Sequence, residues 1–211
     1  MPVRLGRFPF RMPARHDDRH PPKSAGPAGA TALVIIDMLS DWKFPDAEKL
    51  VGGAVAVAPR IAALKGRCRS AGLAVIYAND NHGRWRSDLR QVVDAARRSG
   101  GDGGRIAELL APDPEDYFVL KPKHSAFHAT PFELLLRHLK VGTLWLTGVS
   151  SDQCVLYSAA DAKMNDHVVV VPRDCVATQS EARNQAVLRY FEEVLELEVP
   201  LSTDLGVPEA C

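Results

Sequence analysis

Short apolar runs alternate with longer amphipathic segments along this 211-residue chain, from residue 30 onward. Such alternation is typical of β–α–β units and predicts a parallel sheet with helices on both faces. Strands are predicted at residues 32–36, 73–78, 117–120, 143–147, 168–171 and 197–199. Helices are predicted at residues 47–71, 131–140, 153–165 and 181–193. The fold class is therefore α/β, with a six-stranded parallel sheet.

The first 29 residues differ from the rest in composition. They are rich in Pro, Arg and His, and Pro21-Pro22 and Gly26-Pro27 interrupt any periodicity. We expect residues 1–29 to form an extended or disordered arm, which could reach across a neighbouring copy. Residues 30–211 are expected to form one domain, because a chain of this length suits a single large core.

Charge and cysteine content limit the partners and the compartment. Lys plus Arg equals Asp plus Glu, at 26 each, so no overall field favours nucleic acid or an anionic membrane. The four cysteines show no C-x-x-C spacing, which favours reduced thiols in the cytoplasm. No apolar run reaches the length of a membrane span, and we see no signal peptide. A small-molecule substrate is the expected partner.

Residues 99–104, Ser-Gly-Gly-Asp-Gly-Gly, predict a flexible turn. The stretch lacks G-x-G-x-x-G after a strand, and it lacks the G-K-[ST] of a phosphate-binding loop. The glycines therefore do not indicate a nucleotide site.

Three chemically distinct side chains follow the ends of three predicted strands. Asp37 ends the first strand, Lys121 the third, and Cys154 follows the fourth. Because ligands bind parallel sheets at the carboxyl ends of the strands, we expect these side chains to converge. A thiol needs a carboxylate to take its proton or a cation to stabilise its thiolate, and Asp37 and Lys121 supply both groups.

Cys154 also lies where a helix begins, after the break at Gly148. Backbone N–H groups and the positive end of a helix dipole stabilise a thiolate. The N–H groups of Ser150 and Cys154 are candidates to hold the oxyanion of a carbonyl under attack.

Three segments, in order, resemble the isochorismatase-like cysteine hydrolases, which include nicotinamidases and N-carbamoylsarcosine amidohydrolases. They are Ala-Leu-Val-Ile-Ile-Asp at 32–37, Lys-Pro-Lys-His-Ser-Ala-Phe at 121–127 and Gly-Val-Ser-Ser-Asp-Gln-Cys-Val at 148–155. The resemblance implies a Rossmann-like three-layer fold and an Asp-Lys-Cys triad. Asp37 would be the general base, Lys121 the cation and Cys154 the nucleophile. It also implies a cis peptide bond between Val149 and Ser150.

Substrate contacts are expected from Asn79, Trp85, Arg86, Lys123 and Phe127. The arginine-flanked tryptophan lies where a loop would cap the cleft, with an aromatic wall and groups that bind anions. Lys123 shares its side of an extended strand with Lys121, and the spacing of the family segment selects Lys121 for the triad.

Asp80 and His82 are similar to the start of the metal site in the nicotinamidase branch of this family. No further histidine occurs before His124, and a catalytic zinc site usually has three protein ligands. We therefore predict no metal and no cofactor.

The sequence thus predicts a cysteine hydrolase that cleaves a small amide, carbamoyl or related carbonyl compound through an acyl-cysteine. In this hypothesis Asp37 also activates the water that hydrolyses the thioester. Two alternatives stay open. One is the hydrolysis of a vinyl ether, as in isochorismatase proper, although that branch does not use cysteine at this position. The other is a catalytically silent member that binds a metabolite. The resemblance also implies a homo-oligomer.

Overall fold

The computed structural model describes residues 29–81, 83 and 85–207. The expected arm, apart from Gly29, lies outside the described residues, and so do His82 and Arg84.

Six parallel strands form the sheet, which confirms the predicted fold class. They are β1 (Ala30–Ile36), β2 (Ala74–Asp80), β3 (Tyr117–Lys121), β4 (Val141–Val149), β5 (Val168–Val170) and β6 (Val176–Ala177). The order is β3-β2-β1-β4-β5, and β6 pairs with the end of β4. β1 therefore lies at the centre of the sheet, and its residues 32–36 are fully buried. Burial on both faces explains why residues 32–36 are continuously apolar.

The predicted sixth strand at residues 197–199 is wrong. That segment makes a single bridge, between Glu198 and Val170, and β6 takes the place in the sheet next to the end of β4. Pro200 follows this bridge, and proline has no N–H with which to extend a ladder.

Six α-helices are described, and four of them were predicted. They are α1 (Ala47–Ser70), α2 (Leu89–Arg98), α3 (Gly101–Leu109), α4 (Phe132–His138), α5 (Leu156–Met164) and α6 (Glu181–Glu193). The predicted helix at 153–165 divides into a π-helical turn, Ser151–Val155, followed by α5. No described helix is long and apolar enough to cross a membrane.

The flexible turn predicted at residues 99–104 is also wrong, because α3 begins at Gly101. Gly100, at φ +66°, adopts the left-handed conformation at the start of this helix. Gly103 lets the helix pack closely, since a Cβ atom there would lie 2.5 Å from Cδ1 of Trp42. These glycines therefore allow close packing of a helix.

Two apolar cores lie on opposite faces of the sheet, which makes three layers. Leu33 and Ile35 face the core that contains α1 and α3, whereas Val34 and Ile36 face the core that contains α4, α5 and α6. This alternation along β1 follows the two-residue period of a strand. The layers leave the carboxyl edge of the sheet to the loops that follow β1, β2, β3 and β4.

Candidate active site

The carboxyl ends of three adjacent strands bring Asp37, Asp80 and Lys121 together. Asp80 pairs in register with Lys121, and β1 lies beside β2. The turn after β4 adds Cys154. A cavity of about 190 Å³ opens at this point, and Asp37, Asp80 and Cys154 line it. The sequence predicted from strand ends that Asp37, Lys121 and Cys154 converge, and the structure adds Asp80 to them.

Backbone contacts fix Asp37 directly after β1. Its N–H donates to the carbonyl of Ala78 at 3.0 Å, and its Oδ1 accepts the N–H of Asp80 at 2.7 Å. Its φ of +53° lies in the left-handed region, which aspartate tolerates better than most residues. One carboxylate oxygen is thus held by the backbone, and Oδ2 faces Lys121.

Lys121 is completely buried, and its ammonium group joins the site. Its Nζ lies 2.8 Å from Oδ2 of Asp37, 3.6 Å from Oδ2 of Asp80 and 3.4 Å from Sγ of Cys154. Burial by itself lowers the pKa of Lys121, but the charge of Asp37 and the thiol group outweigh it, and the pKa is raised. Lys121 therefore stays charged next to the sulfur.

Cys154 sits in the π-helical turn and is 8% exposed, with its sulfur at the cavity. The N–H groups of its neighbours Gln153 and Val155 both donate to the carbonyl of Ser150, at 3.1 Å. Burial raises the pKa of the Cys154 thiol, the charge of Asp37 raises it further, and Lys121 opposes both. These surroundings favour the protonated thiol of Cys154 over its thiolate.

The turn that carries Cys154 begins at a glycine. Gly148 has φ +103°, and a Cβ atom there would lie 2.0 Å from the carbonyl oxygen of Ile36. The Val149–Ser150 peptide bond is cis, at the position that the resemblance implied. Ser150 lines the cavity together with Cys154, so both candidate oxyanion donors border the same space.

Side chains from α6 and from the residue that follows β6 hold this turn on the side away from the cavity. Oδ1 of Asp152 accepts the hydroxyl of Thr178 at 2.5 Å, and its Oδ2 pairs with Arg183. The hydroxyl of Ser151 donates to Oδ1 of Asn184 at 2.7 Å, in a buried contact. The turn is therefore fixed on the side opposite the cavity.

Of the five residues expected to contact the substrate, only Asn79 lines the cavity. Its Nδ2 donates to the carbonyl of Leu39 at 2.8 Å. Lys123 has an exposed side chain, but its carbonyl oxygen accepts a hydrogen bond from Nζ of Lys121 at 3.3 Å. Trp85 and Arg86 are exposed on the loop after β2 and do not line the cavity.

Phe127 also lies away from the cavity lining. It packs edge-on against Phe132 of α4, with ring centroids 4.9 Å apart, at the margin of one core. The reason is local, since the chain turns toward α4 after Ser125, whose hydroxyl accepts the N–H of Phe127 at 3.1 Å.

Sequence reasoning missed most of the cavity wall. Trp42, Phe44 and Leu50 form an apolar side, and they come from the loop after β1 and the start of α1. Their position in the chain could have indicated this role, because loops that follow the strands of a parallel sheet lie at its carboxyl edge. His124 was also missed, although it lies three residues after Lys121 on such a loop.

A larger groove of about 620 Å³ lies between α1 and α6, on a different part of the surface. Its charged residues already have protein partners: Arg60 lies 3.7 Å from Asp174, and Arg173 lies 2.6 Å from Glu192. The smaller cavity at Cys154 is the better candidate site because it alone of the two contains the thiol and the buried charges.

Among the residues that the structure describes, no group of three His, Cys, Asp or Glu side chains is placed to hold a metal ion. Oδ2 of Asp80 instead lies near the ammonium group of Lys121. His82, the other residue of the metal-like pair, lies outside the described residues.

The fold and the cavity define a class: a three-layer α/β protein with a thiol, an ammonium group and a carboxylate at the carboxyl edge of a parallel sheet. The isochorismatase domain matches residues 31–201 of the chain. The chain therefore belongs to the isochorismatase family of hydrolases, and the resemblance seen in the sequence is confirmed.

Several relatives span nearly the same region. An uncharacterized isochorismatase family protein, YaaI of Bacillus subtilis, is 34% identical over 168 residues, which are 80% of this chain and 92% of the relative. Maleamate amidohydrolase of Pseudomonas putida is 28% identical, over 74% of this chain and 76% of the relative. The crystal structure of N-carbamoylsarcosine amidase from Thermoplasma acidophilum is 26% identical, with a TM-score of 0.60, over 83% of this chain and 98% of that one.

Proposed function

We propose that this protein is a cysteine hydrolase that cleaves a small amide or carbamoyl compound through an acyl-cysteine at Cys154. One observation carries the proposal: Nζ of Lys121 contacts both Oδ2 of Asp37, at 2.8 Å, and Sγ of Cys154, at 3.4 Å, beside a cavity. The cation therefore contacts both the base and the nucleophile, which suits covalent catalysis by an activated thiol.

Formation of the acyl-cysteine begins with the resting thiol. Asp37 accepts the proton of Cys154 while the sulfur attacks the substrate carbonyl, and Lys121 compensates the negative charge throughout. The backbone N–H groups of Ser150 and Cys154 receive the oxyanion. Asp37 then returns its proton to the leaving nitrogen, the C–N bond breaks, and water later hydrolyses the thioester.

The cavity favours a small substrate with one flat apolar part. Trp42 and Phe44 supply aromatic wall, whereas Ser40 and Gln153 add polar groups. Two relatives, maleamate amidohydrolase and N-carbamoylsarcosine amidase, carry names that describe the cleavage of small C–N compounds. These names and the cavity together support primary amides and ureido acids as the first compounds to assay.

The test is an activity screen of small amide, carbamoyl and ureido compounds, read by ammonia release. The wild-type enzyme should turn over at least one of them, and Cys154→Ala should lose on the order of 10⁴-fold in activity. Cys68→Ala is the matched control, because Cys68 is a buried thiol in α1 away from the cavity and its loss should leave activity intact. Acid-quenched wild-type enzyme should carry the acyl mass on Cys154.

The screen also separates the alternatives. Turnover that survives in Cys154→Ala would contradict covalent catalysis and would favour a vinyl-ether type of chemistry. Saturable binding of a compound without turnover and without an acyl adduct would indicate a catalytically silent member.

We further infer a cytoplasmic homo-oligomer. The three described cysteines are free thiols, which suits a reducing compartment. Tyr157 and Met164 of α5 and Leu134 of α4 are large apolar side chains that lie exposed, which suits a surface for a second copy. Light scattering after size-exclusion chromatography should give a mass above the 23.0 kDa of one chain, and a monomer at micromolar concentration would refute the inference.

A further inference from the structure

The loop after β3 is tied to α5, the helix that begins just after Cys154. Ser158 and Asp161 lie four and seven residues beyond Cys154, a spacing that places side chains on one face of a helix. Oδ2 of Asp161 accepts the hydroxyl of Ser125 at 2.5 Å. The hydroxyl of Ser158 accepts the N–H of Ala126 at 3.0 Å. Both serines are buried, so α5 holds this loop through contacts that are shielded from water.

The same loop supplies an acceptor for the ammonium group of Lys121. Nζ donates to the carbonyl of Lys123 at 3.3 Å and to Sγ of Cys154 at 3.4 Å, and it pairs with Oδ2 of Asp37 at 2.8 Å. An ammonium group has three N–H donors, one for each of these contacts. Lys123 lies two residues before Ser125, so the position of its carbonyl depends on how Ser125 is held.

The hydroxyl of Ser125 connects the loop to a charged acceptor. It donates to the carboxylate of Asp161 and accepts the N–H of Phe127 at 3.1 Å. A hydrogen bond to a carboxylate is about twice as strong as one between neutral groups, so the contact with Asp161 is the stronger of the two. With the loop displaced, the ammonium group of Lys121 would move toward Oδ2 of Asp80, which lies 3.6 Å away, because opposite charges attract strongly in a buried site.

We propose that Asp161 is a positioning residue of the candidate active site. Through Ser125 it holds the carbonyl of Lys123 in place. That carbonyl helps to direct the ammonium group of Lys121 onto the sulfur of Cys154. The inference rests on the proposed function, because it concerns how the thiolate of that mechanism is stabilised.

The test measures how fast iodoacetamide alkylates Cys154 in folded protein, read from the mass of the peptide that carries this cysteine. Asp161→Ala should react about tenfold more slowly than wild type, because the ammonium group of Lys121 lowers the pKa of the thiol and would be displaced. Loss of the negative charge alone would have the opposite sign, since a nearby carboxylate raises the pKa of a thiol. Asp161→Asn separates the two effects. It keeps an oxygen acceptor for Ser125 and should react at least as fast as wild type.

A Lys121→Met background tests the route by which Asp161 acts. Because the ammonium group is already absent there, adding Asp161→Ala should change the alkylation rate no further. Asn165→Ala is the matched control, since Asn165 follows α5 and bonds the backbone carbonyl of Asp161 at 2.8 Å instead of the loop. It should react as the wild type does. Ser125→Ala should reproduce the slowing, and it takes the place of Asp161→Ala if that variant does not fold.

Three results would overturn the role of Asp161. They are equal rates in wild type and Asp161→Ala, a slowing that persists in the Lys121→Met background, and a slowing of the same size in Asp161→Asn. These rates require no substrate, so the activity screen tests the proposed function separately. The expected rates without turnover of any compound would reject the hydrolase and keep the positioning role, whereas turnover that depends on Cys154 without the expected rates would reject only the role of Asp161.

Discussion

Among the residues that the structure describes, two lysines are buried, one near the start of β3 and one at its end, and each lies near two aspartates. Nζ of Lys65, in α1, contacts Asp113 at 3.0 Å and Asp116 at 2.9 Å, in the segment before β3. Nζ of Lys121, at the end of β3, contacts Asp37 at 2.8 Å and Asp80 at 3.6 Å. The charges and the distances are alike, so a buried ion pair does not by itself indicate a catalytic site.

The difference lies in what else each ammonium group meets. Lys65 donates to the carbonyl of Ala111 at 2.7 Å and lies 5.3 Å from the ring centroid of Tyr77, so its surroundings tie α1 to the sheet. Lys121 instead touches the thiol of Cys154 at the wall of a cavity. A nucleophile and an open volume at the carboxyl edge of the sheet distinguish the proposed catalytic lysine from the structural one.

The largest effect is expected for Lys121→Met. Without the ammonium group, neither the thiolate nor the carboxylate of Asp37 is compensated as the sulfur attacks. We expect kcat/KM to fall by about 10³-fold on a substrate found in the screen. Steady-state kinetics on the folded enzyme measures this loss. A loss smaller than tenfold would indicate that Lys121, like Lys65, has a structural role only.

The matched change, Lys65→Met, should affect stability and spare activity. It leaves the carboxylate of Asp116, whose side chain is 3% exposed, next to Arg69, which compensates part of the charge. We therefore expect a loss of about 2 kcal/mol in the free energy of unfolding, below the range for a buried pair left with no other partner. Urea denaturation measures the loss, and kcat/KM should stay within about twofold of wild type, as expected for a site remote from the chemistry. A large loss of activity in a fully folded Lys65→Met protein would contradict the proposed difference between the two lysines.

The smallest effect is expected for Arg183→Met, since Arg183 pairs with Asp152 on the outer side of the π-helical turn that carries Cys154. Burial raises the pKa of Asp152, but the hydroxyl of Thr178 and the charge of Arg183 outweigh it, and the pKa is lowered. A lowered pKa in the folded state contributes stability above the unfolded value near 3.9, and this is lost as the pH falls through the folded value. The variant should be less stable by about 0.5 kcal/mol at pH 7, and the difference should vanish in acid. A difference that persists at pH 2 would point to lost packing.

Much of the fold could be predicted because its signals are local. Residues 32–36 of β1 are continuously apolar because both faces of the strand are buried there. α6 was predicted at its observed bounds, where the hydroxyl of Ser180 accepts the N–H of Arg183. α3 was missed because its glycines indicate a turn by composition, whereas in the folded chain Gly103 lets the helix pack closely against Trp42. Such a contact between distant segments leaves no local pattern.

The candidate site likewise contains residues that could be predicted from the sequence and residues that could not. Asp37, Lys121 and Cys154 could be predicted because each follows a strand end and parallel strands share one edge. Phe127 and Trp85 were expected to contact the substrate, but the conformation of the loops decides where such side chains point. His124 reaches the sulfur through the shape of the loop after β3, which spacing along the chain does not encode.

The central claim is that Asp37 and Lys121 act on the thiol of Cys154 in opposite directions, and the rate of Cys154 alkylation by iodoacetamide tests it most directly. The carboxylate raises the pKa of the thiol and the ammonium group lowers it. At pH 7.5, Asp37→Asn should therefore alkylate faster than wild type, by about tenfold for each unit by which the pKa falls, while Lys121→Met should alkylate more slowly. Equal rates in the three proteins, or changes in the reverse directions, would contradict the account.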